Sequence, residues 1–233
     1  MKHFFLAFVA LTFSVGVHAQ HGCQHKEQLE KMHRAHPEWV QGQKARRIAL
    51  EHFTHQHTRN QAACTTEDIV VPIVFHVVHD NGPENISDAQ IHEAIVQLNE
   101  DFSASNPELP DVHPNFAELV AAVGMQFRLA DFDPNGQPTT GINRIQSDLT
   151  YNGSNLALKQ MIQWNPTMYL NVWVVNSSDG GNGSAFAFYP GDVEGSASVY
   201  DGIVSSYWAV GLSLIHISEP TRPRLISYAV FCL

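Results

Sequence analysis

Cysteine is scarce in this chain: Cys23, Cys64 and Cys232 are the only three in 233 residues. A miniprotein stapled by disulfides needs several bridges, so that class is excluded and the fold must rest on a hydrophobic core. The apolar fraction of 44% permits one. Basic charge is thin as well. Only 13 Lys and Arg stand against 23 Asp and Glu, for a net charge of −10. No basic stripe interleaves with aromatics, which argues against a nucleic-acid partner. Long apolar runs are also missing. The one near the start, Phe4 to Val17, falls short of the ~20 residues that cross a bilayer.

Several catalytic signatures are absent too. "GNGSA" at 181–185 lacks the Gly-x-Ser-x-Gly elbow of a serine hydrolase. "SSDGGNGSA" has glycines but neither the lysine nor the following helix of a phosphate-cradling loop. "DPNG" at 133–136 resembles a fragment of a calcium loop without its later acidic ligands, and reads as a turn.

What is present begins with "MKHFFLAFVALTFSVGVHAQ". Lys2 precedes the apolar run, and Val17-His18-Ala19 supplies a small-residue cleavage site. Residues 1–19 therefore read as a secretory signal peptide. The mature chain is expected to be secreted, extracellular or periplasmic, with no membrane attachment after cleavage. Residues 20–68 are polar and helical in pattern. Leu29 and Met32 share a face, and after the break at Pro37 the residues Ala45, Ile48, Ala49 and Phe53 recur at helical spacing. This segment is too poor in apolar residues for its own core, so it is expected to pack on something else.

The main domain opens with "IVVPIVFHVV", Ile69 to Val78, a β-branched run that reads as a buried strand. Pro72 cannot donate a ladder hydrogen bond and marks an edge or an irregularity. In "SDAQIHEAIVQLNEDF", Ser87 and Gln90 form a capping-box pattern. Ile91, Ala94, Ile95, Leu98 and Phe102 follow as one apolar stripe, which predicts a helix. Further strands are expected at "MQFRLADF" (125–132), Gly141–Ile145, Tyr169–Asn176, Ala185–Phe188 and "DGIVSSY" (201–207), with a short helix over Leu156–Ile162. Strand, helix, then several strands imply one mixed α/β sheet domain.

The 14 histidines invite a search for metal ligands. "HEAIV" at His92–Val96 begins like the zinc-protease motif His-Glu-x-x-His, but Val96 stands where the second ligand belongs, and the pair His92–Glu93 reads as a solvent-side feature of the helix. His76 and His79 lie three apart on a strand and point to opposite faces. His76 therefore reads as a strand histidine satisfied by a polar neighbour. His33, His36, His55 and His57 could bind metal only adventitiously on an exposed helix. No catalytic residue and no metal ligand is assigned from motifs.

"VPIVFHVVHDNGPENISDAQIHEAIVQLNEDFSASNPE", "FRLADFDPNGQPTTGINR", "YLNVWVVN", "AFAFYPG" and "DGIVSSY", taken in order over Ile69 to Gly211, resemble the pappalysin family of secreted metzincin zinc endopeptidases. The resemblance implies a metzincin-like N-terminal subdomain: a twisted, mostly parallel sheet with one antiparallel edge strand and packed helices. In the family the next element carries His-Glu-x-x-His-x-x-Gly-x-x-His, which supplies three zinc ligands and the general base. That motif does not follow here, so the domain is expected to be incomplete and the chain as given inactive, with zinc, and calcium where the family holds it, belonging to the intact enzyme. The implied partner is a peptide or protein substrate, paired by β-addition with the edge strand Ala185, Phe186, Ala187 and Phe188. Cys23 resembles the cysteine with which some zymogens of this superfamily block zinc; a Cys23–Cys64 disulfide or a free thiol are the competing readings.

Residues 212–233 carry no pattern that continues the domain. "LSLIHISEPTR" and "ISYAVFCL" back-translate into codons resembling the two ends of a short-read sequencing adapter, so a non-native tail is expected after Gly211. The resulting organisation is signal peptide 1–19, pro-like helical segment and linker 20–68, N-terminal part of a metallopeptidase catalytic domain 69–211, and tail 212–233. The alternatives are a non-catalytic secreted binding module that uses the exposed sheet edge, and a structural or adhesion role.

Overall fold

The computed structural model describes residues 24–57, 69–181 and 183–211. The expected signal peptide, Cys23, Cys64, Cys232 and the tail 212–233 lie outside the described residues.

Two helices lead: α1, His25–Ala35, and α2, Trp39–His57. The domain follows as β1 (Ile69–His79), α3 (Asp88–Phe102), β2 (Met125–Leu129), β3 (Ile142–Gln146), α4 (Leu156–Met161), β4 (Leu170–Val175), β5 (Ala185–Phe186) and β6 (Ile203–Ser206). Among the described residues these strands make one six-stranded sheet, ordered β2-β1-β4-β6-β5 with β3 also on β1. All pairings are parallel except β5 on β6. This is the mixed α/β sheet that the strand and helix patterns imply.

Pro72 sits in the central strand, at a point where that strand is locally an edge. The backbone amides of Ile69 and Phe75 donate to Gly124 and Gly141, on the flank shared by β2 and β3. Alternation turns position 72 to the other flank, where β4 begins to pair only at Ile73↔Leu170. The donor that proline lacks therefore faces no partner strand.

Period-two alternation gives the sheet two apolar faces. Ile73, Phe75 and Val77 of β1, with Val172 and Val174 of β4, meet Ile91 of α3 and the half-buried Ala94, Ile95, Leu98 and Phe102. The predicted stripe is thus the packed face of α3. Ser87 caps that helix, its Oγ accepting from the Gln90 amide at 3.2 Å, which contributes about 1 kcal/mol. The Gln90 side chain leaves the box and donates instead to the Val210 carbonyl at 2.7 Å. On the opposite face Val78, Trp173, Val175, Val204 and Phe186 pack with Leu158 of α4 and Met32 of α1.

The loop after β1 closes on a carboxylate. Glu84 is fully buried and accepts from the amides of Asp80 (2.6 Å) and Gly82 (3.1 Å) and from the Asn176 side chain (3.2 Å). Burial pushes its pKa up, but these hydrogen bonds outweigh burial and hold it below the usual glutamate value.

Candidate functional site

The edge strand is where the sequence expects it but shorter. The strand Ala185–Phe188 of the sequence reading is a strand only over Ala185–Phe186, paired antiparallel as Ala185↔Ser205 and Phe186↔Val204. Continuing that register would set Phe188 opposite Gly202. Gly202 has φ +95°, and a Cβ there would lie 2.6 Å from the Asn171 carbonyl oxygen. The chain entering β6 turns at that glycine, so β6, which begins at Ile203, offers nothing for Phe188 to pair with.

The polarity of the edge follows from its ladder. The Ser206 amide donates to the Ser184 carbonyl at 2.7 Å, so alternation turns Phe186 inward and Ala185 and Ala187 outward. The outward Ala187 carbonyl takes a hydrogen bond from the His25 ring at Nδ1, 2.6 Å away. His25 opens α1, and its ring also packs edge-on against Phe188 and Tyr189. The leading helices therefore lie across the free edge of the sheet. Gln24, just before α1, bonds to Asp179 and accepts from Ser178 Oγ at 3.1 Å.

Beneath this edge lies Lys159 of α4, 3% exposed. Its Nζ donates to the carbonyls of Tyr200, Asp201 and Gly202 and sits 5.0 to 5.7 Å from the ring centroids of Trp173, Phe186 and Phe188. Burial pushes its pKa down to about 7, with Asp201 opposing. Three carbonyls and three ring faces make this a site built around a cation. A cleft of about 190 Å³ remains between Met32 of α1 and this floor of Lys159, Phe186 and Phe188.

Beyond the edge, α2 grips the turn 189–194. Arg47 donates from Nε to Asp192 Oδ1 (3.1 Å) and from a terminal nitrogen to Oδ2 (2.5 Å). Its guanidinium stands 5.3 Å from the Tyr189 ring centroid. The Asp192 hydrogen bond and charge raise the Arg47 pKa further. Gln43 donates to the Asp192 carbonyl and Arg46 to that of Gly191, both at 2.8 Å. The predicted apolar set of α2 does not make this contact: Ile48 and Phe53 are exposed, and the docked face is polar.

Of the histidines, His76 is fully buried between Asn171 (3.0 Å from Nε2) and Asn143 (3.2 Å from Nδ1), the polar satisfaction its strand position predicts. His92 and Glu93 are on the exposed side of α3. His33 bonds to Gln43, and His36 stacks on Trp39 with ring centroids 3.8 Å apart. No three His, Cys, Asp or Glu side chains converge among the described residues, so these residues do not fit a catalytic zinc. Lys159, Tyr189, Asp192 and Arg47 escaped the sequence reading. The one signal for Lys159 is a charge directly after the apolar run Leu156–Leu158 in "LALKQM".

Among solved structures the chain is similar to a mutant of Tannerella forsythia promirolysin, at 30% identity and a TM-score of 0.59, over 79% of this chain and 59% of that one. It is also similar to Tannerella forsythia mature mirolysin in complex with a cleaved peptide, at 34% identity and a TM-score of 0.54, over 62% of this chain and 55% of that one. Mirolysin in complex with compound 9 matches at 34% identity and a TM-score of 0.55, over the same shares. The chain thus spans little more than half the length of these structures. No protein-family model and no curated protein matches it. Sheet order, packed helices and these likenesses together define a metzincin-like α/β fold.

Proposed function

We propose that this chain carries the sheet and substrate edge of a secreted, zinc-dependent endopeptidase of the pappalysin type, with residues 20–68 as its pro-segment. The observation that carries the reading is the single antiparallel edge, β5, on an otherwise parallel sheet resembling mirolysin, one of whose structures holds a cleaved peptide. An extended peptide added to that edge would pair with the outward backbone groups of Ala185 and Ala187, while Phe186 and Phe188 point into the core. The occupation of the Ala187 carbonyl by His25 supports the pro-segment assignment. So does the larger share of this chain matched by promirolysin, 79% against 62% for the mature form. Cys23 is the candidate zinc-blocking thiol of that segment.

Zinc, when bound in such an enzyme, polarises the scissile carbonyl and activates water. The described residues offer it no ligand set, so the chain as given is expected to show no chelator-sensitive hydrolysis of a fluorogenic peptide in the presence of zinc. The deciding experiment is to amplify the locus past the Gly211 codon, express the product and assay it. A His-Glu-x-x-His helix and cleavage abolished by chelator are expected. A native stop near Gly211, or an extended product that cleaves nothing, overturns the reading.

A further inference from the structure

The cleft under α1 has a lining that packing alone does not call for. It measures about 190 Å³, with apolar walls from Met32 of α1, Leu156 of α4, and Phe186 and Phe188 of the edge. A cavity of about 150 Å³ with apolar walls holds a benzene ring, so this one has room for a body of about six carbon atoms. Two lysines line it, Lys159 in the floor and Lys31 of α1, in a chain of net charge −10. Among the described residues no acidic side chain lines it. Lys31 pairs with Glu27 at 3.3 Å, but both side chains are exposed, and such a pair holds its partners weakly. Gln28 lines the cleft too. It is 4% exposed, and among the described residues its Nε2 has no hydrogen-bond partner. A buried amide donor left without an acceptor is unfavourable.

We infer that this cleft binds a small carboxylate with an apolar tail, which joins α1 to the sheet domain. The carboxylate accepts from Gln28 Nε2 and lies beside Lys31, while the tail fills the space between Met32, Leu156 and the two phenylalanines. Lys159 keeps its three carbonyl partners and adds positive charge from beneath. Water alone could satisfy Gln28, but it would leave the apolar walls wet and the lysine charge unmatched. Gln28, Lys31 and Met32 come from α1, and the other walls come from the sheet domain. The ligand therefore binds only while α1 is docked, and by linkage it holds α1 down. As a clamp on a pro-segment the inference rests on the peptidase reading. As a ligand site it does not.

The probe is hexanoate, titrated by calorimetry into the full chain. It needs neither zinc nor a peptide substrate, so its binding and the peptidase assay can fail separately. Saturable binding at millimolar concentration is expected. Hexan-1-ol, which keeps the tail without the charge, should bind at least fivefold more weakly. Butanoate should bind about tenfold more weakly for its two missing methylenes. Gln28→Leu and Lys31→Gln should each lower hexanoate affinity at least threefold. Ala35→Leu, at an exposed position on the lip of the cleft, should narrow it and lower affinity at least fivefold. Should Gln28→Leu fail to fold, the two variants at exposed positions carry the test. With hexanoate at about ten times its Kd, exchange of the α1 amides should slow about tenfold, and that of β1 should not change. No saturable binding, equal binding of hexan-1-ol, native affinity in any folded variant, or α1 exchange unaltered by bound hexanoate would each overturn the inference.

Discussion

His76 shows how one buried side chain sets a pH limit on the whole fold. Burial holds its pKa down at about 4, with the Asn171 hydrogen bond opposing. In the unfolded chain it returns to its ordinary value near 6.5. Between those values the unfolded state binds a proton that the folded state refuses. Stability contributed by the neutral ring is therefore present above about pH 6.5 and lost as pH falls toward 4, by about 3 kcal/mol at most. Urea denaturation across that window should show the decline in the native chain and a flatter profile in His76→Gln, whose amide keeps a donor and an acceptor for Asn171 and Asn143. Equal slopes in the two would refute this role. The burial itself was legible: a histidine amid "IVVPIVFHVV" has to be satisfied internally. Its partners were not, since Asn143 and Asn171 come from strands that pair only in the folded sheet.

Among the elements, α3 was the most legible, because its cap and its stripe agree and both use local spacing alone. The edge strand was legible in place but not in length. Its end is fixed by Gly202, which belongs to the neighbouring strand's approach and carries no sign in "SAFAFYPG". Gly202→Ala should cost about 3 kcal/mol, since both its positive φ and the close Asn171 carbonyl oppose a methyl group. The same variant should raise amide exchange across β5 and β6 more than across β1, while a uniform change would place the strain elsewhere. α2 was misread for a related reason. Periodicity located its apolar residues, but the domain meets it through Gln43, Arg46 and Arg47, because the surface it docks on is the carbonyl-rich, acidic turn 190–194. Hydrophobic pattern reports a buried face only where the opposing surface is apolar.

At the scale of the molecule, the order of strand, helix and strand was enough to give a mixed sheet, and the block-by-block resemblance was enough to give its family of folds. What neither could give is how the leading helices sit on it. They are held by two unlike attachments. α1 is anchored by Met32, 2% exposed and packed with Phe186 and Phe188, with Leu29 beside it, and Trp39 at the start of α2 packs against the same cluster. Beyond Trp39, α2 is held by charged and polar contacts at the turn. Salt screens the second kind and strengthens the first. Hydrogen exchange should therefore speed up in α2 from Gln43 onward when sodium chloride is raised from low to near-molar levels, with α1 unchanged or slower. Parallel acceleration of both helices would show that they share one attachment.

The layer can consequently come away in stages. Its outer helix can peel back in brine while the inner one stays rooted, and because Ile48 and Phe53 already face outward, that first stage bares little new oily surface to drive clumping.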